Sequence, residues 1–330
     1  VIEVREPQHR PNELLLKVEM VGLCGTDLNS FRGRNPLVTF PRVIGHEIAA
    51  TVVVGSANVP VGTRVTVSPY TSCGVCASCL SGRVNACKSN QTFGVQRDGA
   101  LTELISVPED KVYPSALSLK ELCIVEPLTV GVHAVARGRV TAEDVVAVVG
   151  CGGVGLGAVA GAAFRGARTI AIDLCDTKLD TAHSAGATEV IHSVNEDIHA
   201  RLQELTDGHG PSVVIEAIGL PETFVAAVEE VAFTGRVVYI GYAKQPVTYD
   251  TRLFVQKELD VIGSRNALPQ DFREVIAMLE AHRFPVDAAV STVIGMQDVP
   301  DTLQRWSESP ADFGKIMVQV GSSSRTPSPR

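Results

Sequence analysis

Along the first 115 residues, apolar and β-branched positions gather in short runs between turn-forming residues: Glu13 to Val18, Ile48 to Val54, Arg64 to Val67 and Ala100 to Val107. Runs of this length and composition predict an antiparallel, β-rich region, punctuated by turns at Gly22, Gly62 and Pro108. From Glu126 the pattern changes. Strand-like segments Val145 to Val149, Thr169 to Asp173, Val190 to Ile191, Val213 to Glu216, Arg236 to Gly241 and Asp260 to Gly263 alternate with stretches of helical character. Those stretches are Val154 to Arg165, Lys178 to Ala185, Asp197 to Thr206, Pro221 to Ala232 and Pro269 to Ala281. This rhythm predicts a parallel α/β sheet. Two textures in a chain of 330 residues make two domains the expected organisation. The segment Gly321 to Arg330, GSSSRTPSPR, is polar and rich in breakers, so it is expected to be disordered.

One stretch imitates a membrane span. Val145 to Phe164 carries no charge, and Gly153, Gly157 and Gly161 repeat the GxxxG spacing of packed membrane helices. Six glycines interrupt it, each costing a helix interior about 1 kcal/mol, so a strand, a turn and a helix are expected instead. A net charge of -8 argues against nucleic acid or an anionic membrane as partner, because phosphate binding draws on Lys and Arg. A small molecule is the expected partner. Four of the eight cysteines lie within fifteen residues, unlike a disulfide framework, which points to a reducing cytoplasm.

Gly150, Gly152 and Gly155 form G-x-G-x-x-G at the end of the strand VVAVV, just where a helix begins. The first glycine permits a tight turn, the second lets backbone N–H groups approach a pyrophosphate, and the third lets helix and strand pack closely. With Gly153 and Val154 they open a helix whose N-terminus favours an anion. The next strand ends at Asp173, eighteen residues beyond Gly155, placed to accept hydrogen bonds from an adenosine ribose. Its carboxylate, with Asp176 nearby, disfavours a 2′-phosphate, so NAD is expected over NADP. Lys178 leaves room for both coenzymes. The bland alternative is a Gly-rich turn beside an ordinary strand-end Asp.

Cys73, Cys76, Cys79 and Cys87 read C-x2-C-x2-C-x7-C around Gly74 and Gly82, a spacing that lets four thiolates converge on one tetrahedral zinc. Such a set has no open position, so its expected role is structural. An iron–sulfur cluster also takes four cysteines, but the fourth Cys and following Pro of the bacterial ferredoxin run are missing. A second set is dispersed: Cys24 in GLCGTD, His46-Glu47 in GHE, and Glu126 in EPL. Taken singly, these residues fit a packed cysteine, a strand-edge pair and a helix cap equally well.

GLCGTD, GHE, the four-cysteine lobe, EPL, VVGCGGVGLGA and the strand-end Asp173 stand in one order over residues 10 to 320. In this the chain resembles the zinc-dependent medium-chain dehydrogenases, and more narrowly their sorbitol dehydrogenase-like branch. The resemblance implies an α/β fold with a GroES-like β-rich catalytic domain (residues 1–127, lobe at about 73–87), a Rossmann doubly wound coenzyme domain (128–263) and a C-terminal return to the catalytic domain (264–320). Nicotinamide and catalytic zinc would share the cleft between the domains. It implies two zinc ions per subunit. Cys24 and His46 would ligate the catalytic one, with Glu126 as third ligand or acting through water. Glu47 would sit beside the metal, exchanging with water as a ligand. Asp27 matches the carboxylate that orients the ligating His, and Thr26 the hydroxyl that takes the substrate proton. Asn29 replaces the His that commonly relays that proton, and an amide cannot titrate there. The chain opens at Val1, later than family members do, so a further first strand or a leader is expected ahead of it. A homodimer or homotetramer is implied.

Glu126 in place of Cys favours the polyol branch, and Arg265 follows the last Rossmann strand where that branch puts residues near the substrate. A guanidinium can hold a carboxylate bidentately, which suits a sugar acid such as galactonate or gulonate oxidised at C5. Binding of polyol hydroxyls, coenzyme or a surface partner would employ the same arginine. L-Threonine 3-dehydrogenase is the neighbouring reading within the fold. A non-enzymatic zinc-binding module and a zinc-free quinone reductase are the readings outside it.

Overall fold

The protein is described from a computed structural model covering residues 2–310 and 313–321. The segment expected to be disordered lies, beyond Gly321, outside the described residues. Two compact units divide the chain: residues Val1–Glu126 with Val286–Arg330, and Pro127–Pro285.

The first unit is built on a sheet in which β1 (Glu13–Leu23) pairs with β2 (Glu47–Val54), and β2 continues to β3 (Arg64–Val67) and β5 (Val112–Pro114), all antiparallel. The other edge of β1 is shared. Its first half pairs with β4 (Leu104–Pro108) and its second half with β13 (Lys315–Gln319), which runs parallel to β12 (Val290–Gly295). Alternation in β1 sends Leu14, Leu16 and Val18 inward, where they pack with Ile48, Ala50, Val52 and Val65. Between these strands lie α1 (Gly25–Phe31) and the short α2 (Ala77–Leu80), while α10 (Val286–Ala289) and α11 (Val299–Glu308) flank β12.

Gly22, expected to turn the chain, lies inside β1 opposite both Glu47 on β2 and Met317 on β13. The run of buried residues continues through Leu23, and strand pairing on both sides outweighs glycine's preference for a turn. The helix α3 (Leu119–Arg137) is a second departure, because it continues through Pro127, a residue that ordinarily stops or kinks a helix.

The second unit is a parallel sheet in the order β11-β10-β9-β6-β7-β8. Its strands are β6 (Val145–Val149), β7 (Arg168–Asp173), β8 (Glu189–His192), β9 (Val213–Glu216), β10 (Arg236–Tyr239) and β11 (Asp260–Gly263). The helices α4 (Gly153–Phe164), α5 (Asp176–Ser184), α6 (Ile198–Leu205), α7 (Pro221–Glu230) and α8 (Arg252–Gln256) connect them, and α9 (Pro269–Glu280) follows. This is the doubly wound order, with its reversal between β6 and β9. Helices cover the sheet, so central strands read as unbroken apolar runs such as VVAVV. The stretch 264–285, expected to leave this domain, stays with it. Phe272, Val275, Met278 and Leu279 on α9 are buried, and an amphipathic helix with that face needs the neighbouring helix α4 to cover it. Val145 to Phe164 is a strand, a turn and a helix. Among the described residues no helix is long and apolar enough to cross a membrane.

Candidate active site and metal centres

Cys24 follows β1 and caps α1. Its sulfur accepts from the Thr26 N–H at 3.2 Å, and Asp27 reciprocates by accepting from the Cys24 N–H at 2.9 Å. A cysteine thus stands where a Ser or Asp normally caps, which fixes its Sγ at the end of a strand. His46 precedes β2, with Nε2 3.1 Å from Cys24 Sγ. Asp27 Oδ1 accepts from the Gly45 N–H and lies 3.9 Å from His46 Nδ1. Thr26 and Asn29 are half-buried on the same short helix.

One potential ligand atom each from Cys24, His46 and Glu47 lies within 4.8 Å of the others. The close trio therefore contains Glu47, whereas Glu126, expected as the third ligand, is not one of it. Glu126 sits on α3, buried, and accepts a short hydrogen bond from the Tyr70 hydroxyl. Lys315 donates to both Glu47 oxygens, at 2.5 and 2.7 Å, and to the Leu23 carbonyl at 3.3 Å. Neither Tyr70 nor Lys315 was legible as a site residue. Tyr70 carries no motif, and the only hint at Lys315 is a lysine opening an otherwise apolar strand, KIMVQ.

The electrostatics match a place made for a cation. Burial pushes Glu126 up, opposed by His46, and Tyr70 is pushed well up by burial and by the Glu126 charge. For His46, burial works downward, yet Cys24 and Asp27 outweigh it and hold the imidazole well above its usual range. Burial likewise opposes charge on Lys315, but Glu47 and Cys24 raise it above the ordinary lysine value. His46 Nδ1 is buried without a hydrogen-bond partner. Thiolate, imidazole and buried carboxylates form the donor set that zinc prefers, and the residues present fit that metal.

In the lobe, Cys76 Sγ lies 3.5 Å from Cys79 Sγ and 3.9 Å from Cys87 Sγ, and all four sulfurs fall within 4.8 Å. Zinc–sulfur bonds in a tetrahedron place sulfurs about 3.8 Å apart. Gly74 and Gly82, both at positive φ, let the chain reverse tightly between the thiols. The Ser78 hydroxyl and backbone N–H groups draw the Cys76 thiol down to about 5.

In the second unit Gly150 adopts φ +97, and a Cβ on Gly155 would stand 1.7 Å from the Gly150 carbonyl oxygen. A Cβ on Gly152 would meet nothing within 4 Å, which leaves the N-terminus of α4 open above exposed Gly152 and Gly153, with Val154 half-buried. Asp173 is buried and accepts from three backbone N–H groups: Cys151 at 2.8 Å on Oδ2, and Leu174 at 2.8 Å and Cys175 at 3.1 Å on Oδ1. This carboxylate fastens the two loops together. Lys178 is half-buried in the first turn of α5, and Arg265 is exposed after β11.

Comparison with known proteins agrees with this geometry. Residues 10–117 match the alcohol dehydrogenase GroES-like domain, and residues 153–281 match the zinc-binding dehydrogenase model. The chain is 34% identical to a sorbitol dehydrogenase of Bacillus subtilis (94% of this chain, 91% of the relative). It is 32% identical to an L-galactonate-5-dehydrogenase of Escherichia coli (89% and 88%). An alcohol dehydrogenase from Escherichia coli CFT073 solved with NADH superposes with a TM-score of 0.88 at 28% identity, covering 97% of this chain and 95% of that one. A protein described as a zinc-binding dehydrogenase from Sinorhizobium meliloti 1021, bound to NADP, superposes at 0.87 with 30% identity, covering 96% and 94%. The chain belongs to the zinc-type medium-chain dehydrogenases, oxidoreductases that use NAD(P). Within them it stands in the polyol dehydrogenase-like branch.

Proposed function

We propose that the chain oxidises a secondary hydroxyl of a sugar acid or polyol to the ketone with NAD, and that an aldonate such as galactonate or gulonate, oxidised at C5, is its substrate. The observation that carries the reading is the buried constellation in which Cys24 Sγ and His46 Nε2 stand 3.1 Å apart with Glu126 and Glu47 around them. Cys24 and His46 would hold the catalytic zinc, with Glu47 beside them within 4.8 Å and Glu126 as third ligand or acting through water, and Cys73, Cys76, Cys79 and Cys87 would hold a structural one. Bound zinc supplies Lewis acidity that lets an alcohol lose its proton near neutral pH, and the nicotinamide supplies the hydride acceptor. The chain's own residues do the rest. Asp27 fixes the Cys24 backbone and faces His46, and the Thr26 hydroxyl would accept the substrate proton while passing its own onward toward solvent.

NAD is favoured over NADP because the Asp173 carboxylate, held by three N–H groups, would repel a 2′-phosphate, although Lys178 tempers that repulsion. The hexonate reading rests on exposed Arg265 and its capacity for bidentate carboxylate binding. The test measures NADH formation by zinc-loaded protein on matched pairs of polyol and hexonate, with threonine included. It is repeated with NADP and with Arg265→Ala. A hexonate preference of about tenfold or more that Arg265→Ala abolishes, ~1.4 kcal/mol in transition-state binding, is the expected result. Preference for neutral polyols or threonine overturns the substrate while leaving the zinc assignment intact.

A further inference from the structure

The connection between β11 and α9, residues 264–268, carries Arg265. Ser264 and Ala267 are buried while Arg265 between them is exposed, and Asn266 takes a left-handed φ of +52 that asparagine tolerates better than most side chains. A segment this short gives its exposed side chain one direction only if both of its ends are fixed. Helix α3 fixes both.

Two residues one turn apart, on one face of α3, make the attachments. Arg137 Nε donates to the Gly263 carbonyl at 3.2 Å, where β11 ends. His133 Nδ1 donates to Asp271 Oδ2 at 2.8 Å, and the same oxygen accepts from the Leu268 N–H at 2.6 Å, where α9 begins. An acid at this place in a helix caps equally well from the surface, where water serves its second oxygen. Asp271 is instead fully buried, and its Oδ1 has no hydrogen-bond partner among the described residues. Burying a carboxylate with one oxygen unserved costs free energy that capping alone does not offset. What the burial provides is the contact with His133, a residue itself only 3% exposed.

We infer that His133 and Asp271 are positioning residues for substrate selection: by tying the start of α9 to α3 they fix the segment that presents Arg265. Arg137 is the anchor at the other end. The inference rests on the reading of Arg265 as the group that selects a carboxylate. Bidentate binding needs the planar guanidinium aimed at its partner, so a shift of about 1 Å in the segment weakens it. A polyol, which offers no carboxylate there, is indifferent to the same shift.

The experiment uses the full, zinc-loaded chain and takes the ratio of kcat/KM for a hexonate to that for its matched polyol. Both substrates meet the same folded molecules, so partial unfolding leaves the ratio unmoved. His133→Leu removes the donor, and Asp271→Asn keeps an acceptor for the Leu268 N–H while losing the one for His133. Each is expected to lower the ratio about fivefold through the hexonate KM, with the KM for NAD within about twofold of the parent's. His133→Asn, whose amide can donate from the place of Nδ1, is expected to restore most of the ratio. Combining His133→Leu with Arg265→Ala is expected to lower the ratio no further than Arg265→Ala alone. A parent ratio kept in His133→Leu and Asp271→Asn, while Arg265→Ala collapses it, overturns the inference alone. So does a double variant in which the two losses add. An Arg265→Ala ratio equal to the parent's overturns the reading of Arg265, and the inference falls with it. Should His133→Leu fail to fold, Asp271→Asn carries the same comparison.

Discussion

Single side chains here act mostly by holding others. Asp144 shows this away from the active site. Its carboxylate accepts from the Thr141 N–H at 2.8 Å and the Ser212 hydroxyl at 2.8 Å, and it pairs closely with Arg236, joining the entries to β6, β9 and β10. Burial works to raise its pKa, but those donors outweigh it and hold the carboxyl below its ordinary 3.8. A carboxyl depressed in the folded state contributes stability above its unfolded pKa and loses it as pH falls through the folded one. Asp144→Asn is therefore expected to cost about 1–3 kcal/mol at neutral pH, because Arg236 loses its charged acceptor. The difference from the parent chain should shrink below about pH 4; denaturant titrations at pH 7 and pH 3 check it. At this scale Cys24, His46 and the four lobe cysteines were legible because each carries its own chemistry in a short motif. Tyr70 and Lys315 were not, since what they do depends on carboxylates 56 and 268 residues away.

Elements explain the glycine pattern that imitates a membrane helix. A Cβ on Gly157 would come 2.5 Å from the Leu128 carbonyl oxygen, one on Gly131 2.2 Å from the Ala158 nitrogen, and one on Gly161 2.9 Å from Val132 Cγ2. The small-residue stripe thus lets α3 and α4 approach backbone to backbone, the same physics that drives GxxxG contacts in lipid. Gly157→Ala is expected to destabilise the protein by about 1–3 kcal/mol through overpacking, with the Gly150, Gly152 and Gly155 turn left in place. Thermal unfolding measured with and without NADH checks both halves of the statement. Strand segments were read closely from sequence, Val145 to Val149, Val213 to Glu216 and Asp260 to Gly263 to the residue, since buried parallel strands are unbroken apolar runs. The course of α3 was not readable, because Pro127 argues locally against a helix that tertiary packing sustains.

For the whole molecule, the first unit is assembled from two distant parts of the chain, and β13 completes the sheet that β1 begins. The four-thiol lobe offers little apolar surface of its own: Val75 and Leu80 are exposed. Under the proposed structural-zinc role, metal ligation would replace the missing core there. Cys76→Ser is expected to release one zinc equivalent and to lower the thermal midpoint before it touches chemistry. Zinc content and unfolding temperature measured side by side check this, and a stable, fully active protein lacking that zinc would refute the structural role.

The sequence by itself determined the two textures, the doubly wound unit, the glycine-rich turn and the two sets of candidate metal ligands. Each of these is a local pattern whose physical requirement, such as a glycine where a Cβ would clash or thiols a few residues apart, is written in neighbouring positions. Only the tertiary structure decided that α9 stays with the parallel sheet, that Gly22 lies within a strand, and that Glu47 is clamped by Lys315 while Glu126 is held by Tyr70. Those outcomes depend on which strands and helices become neighbours, and that is settled by burying apolar faces across the whole chain rather than by any single segment.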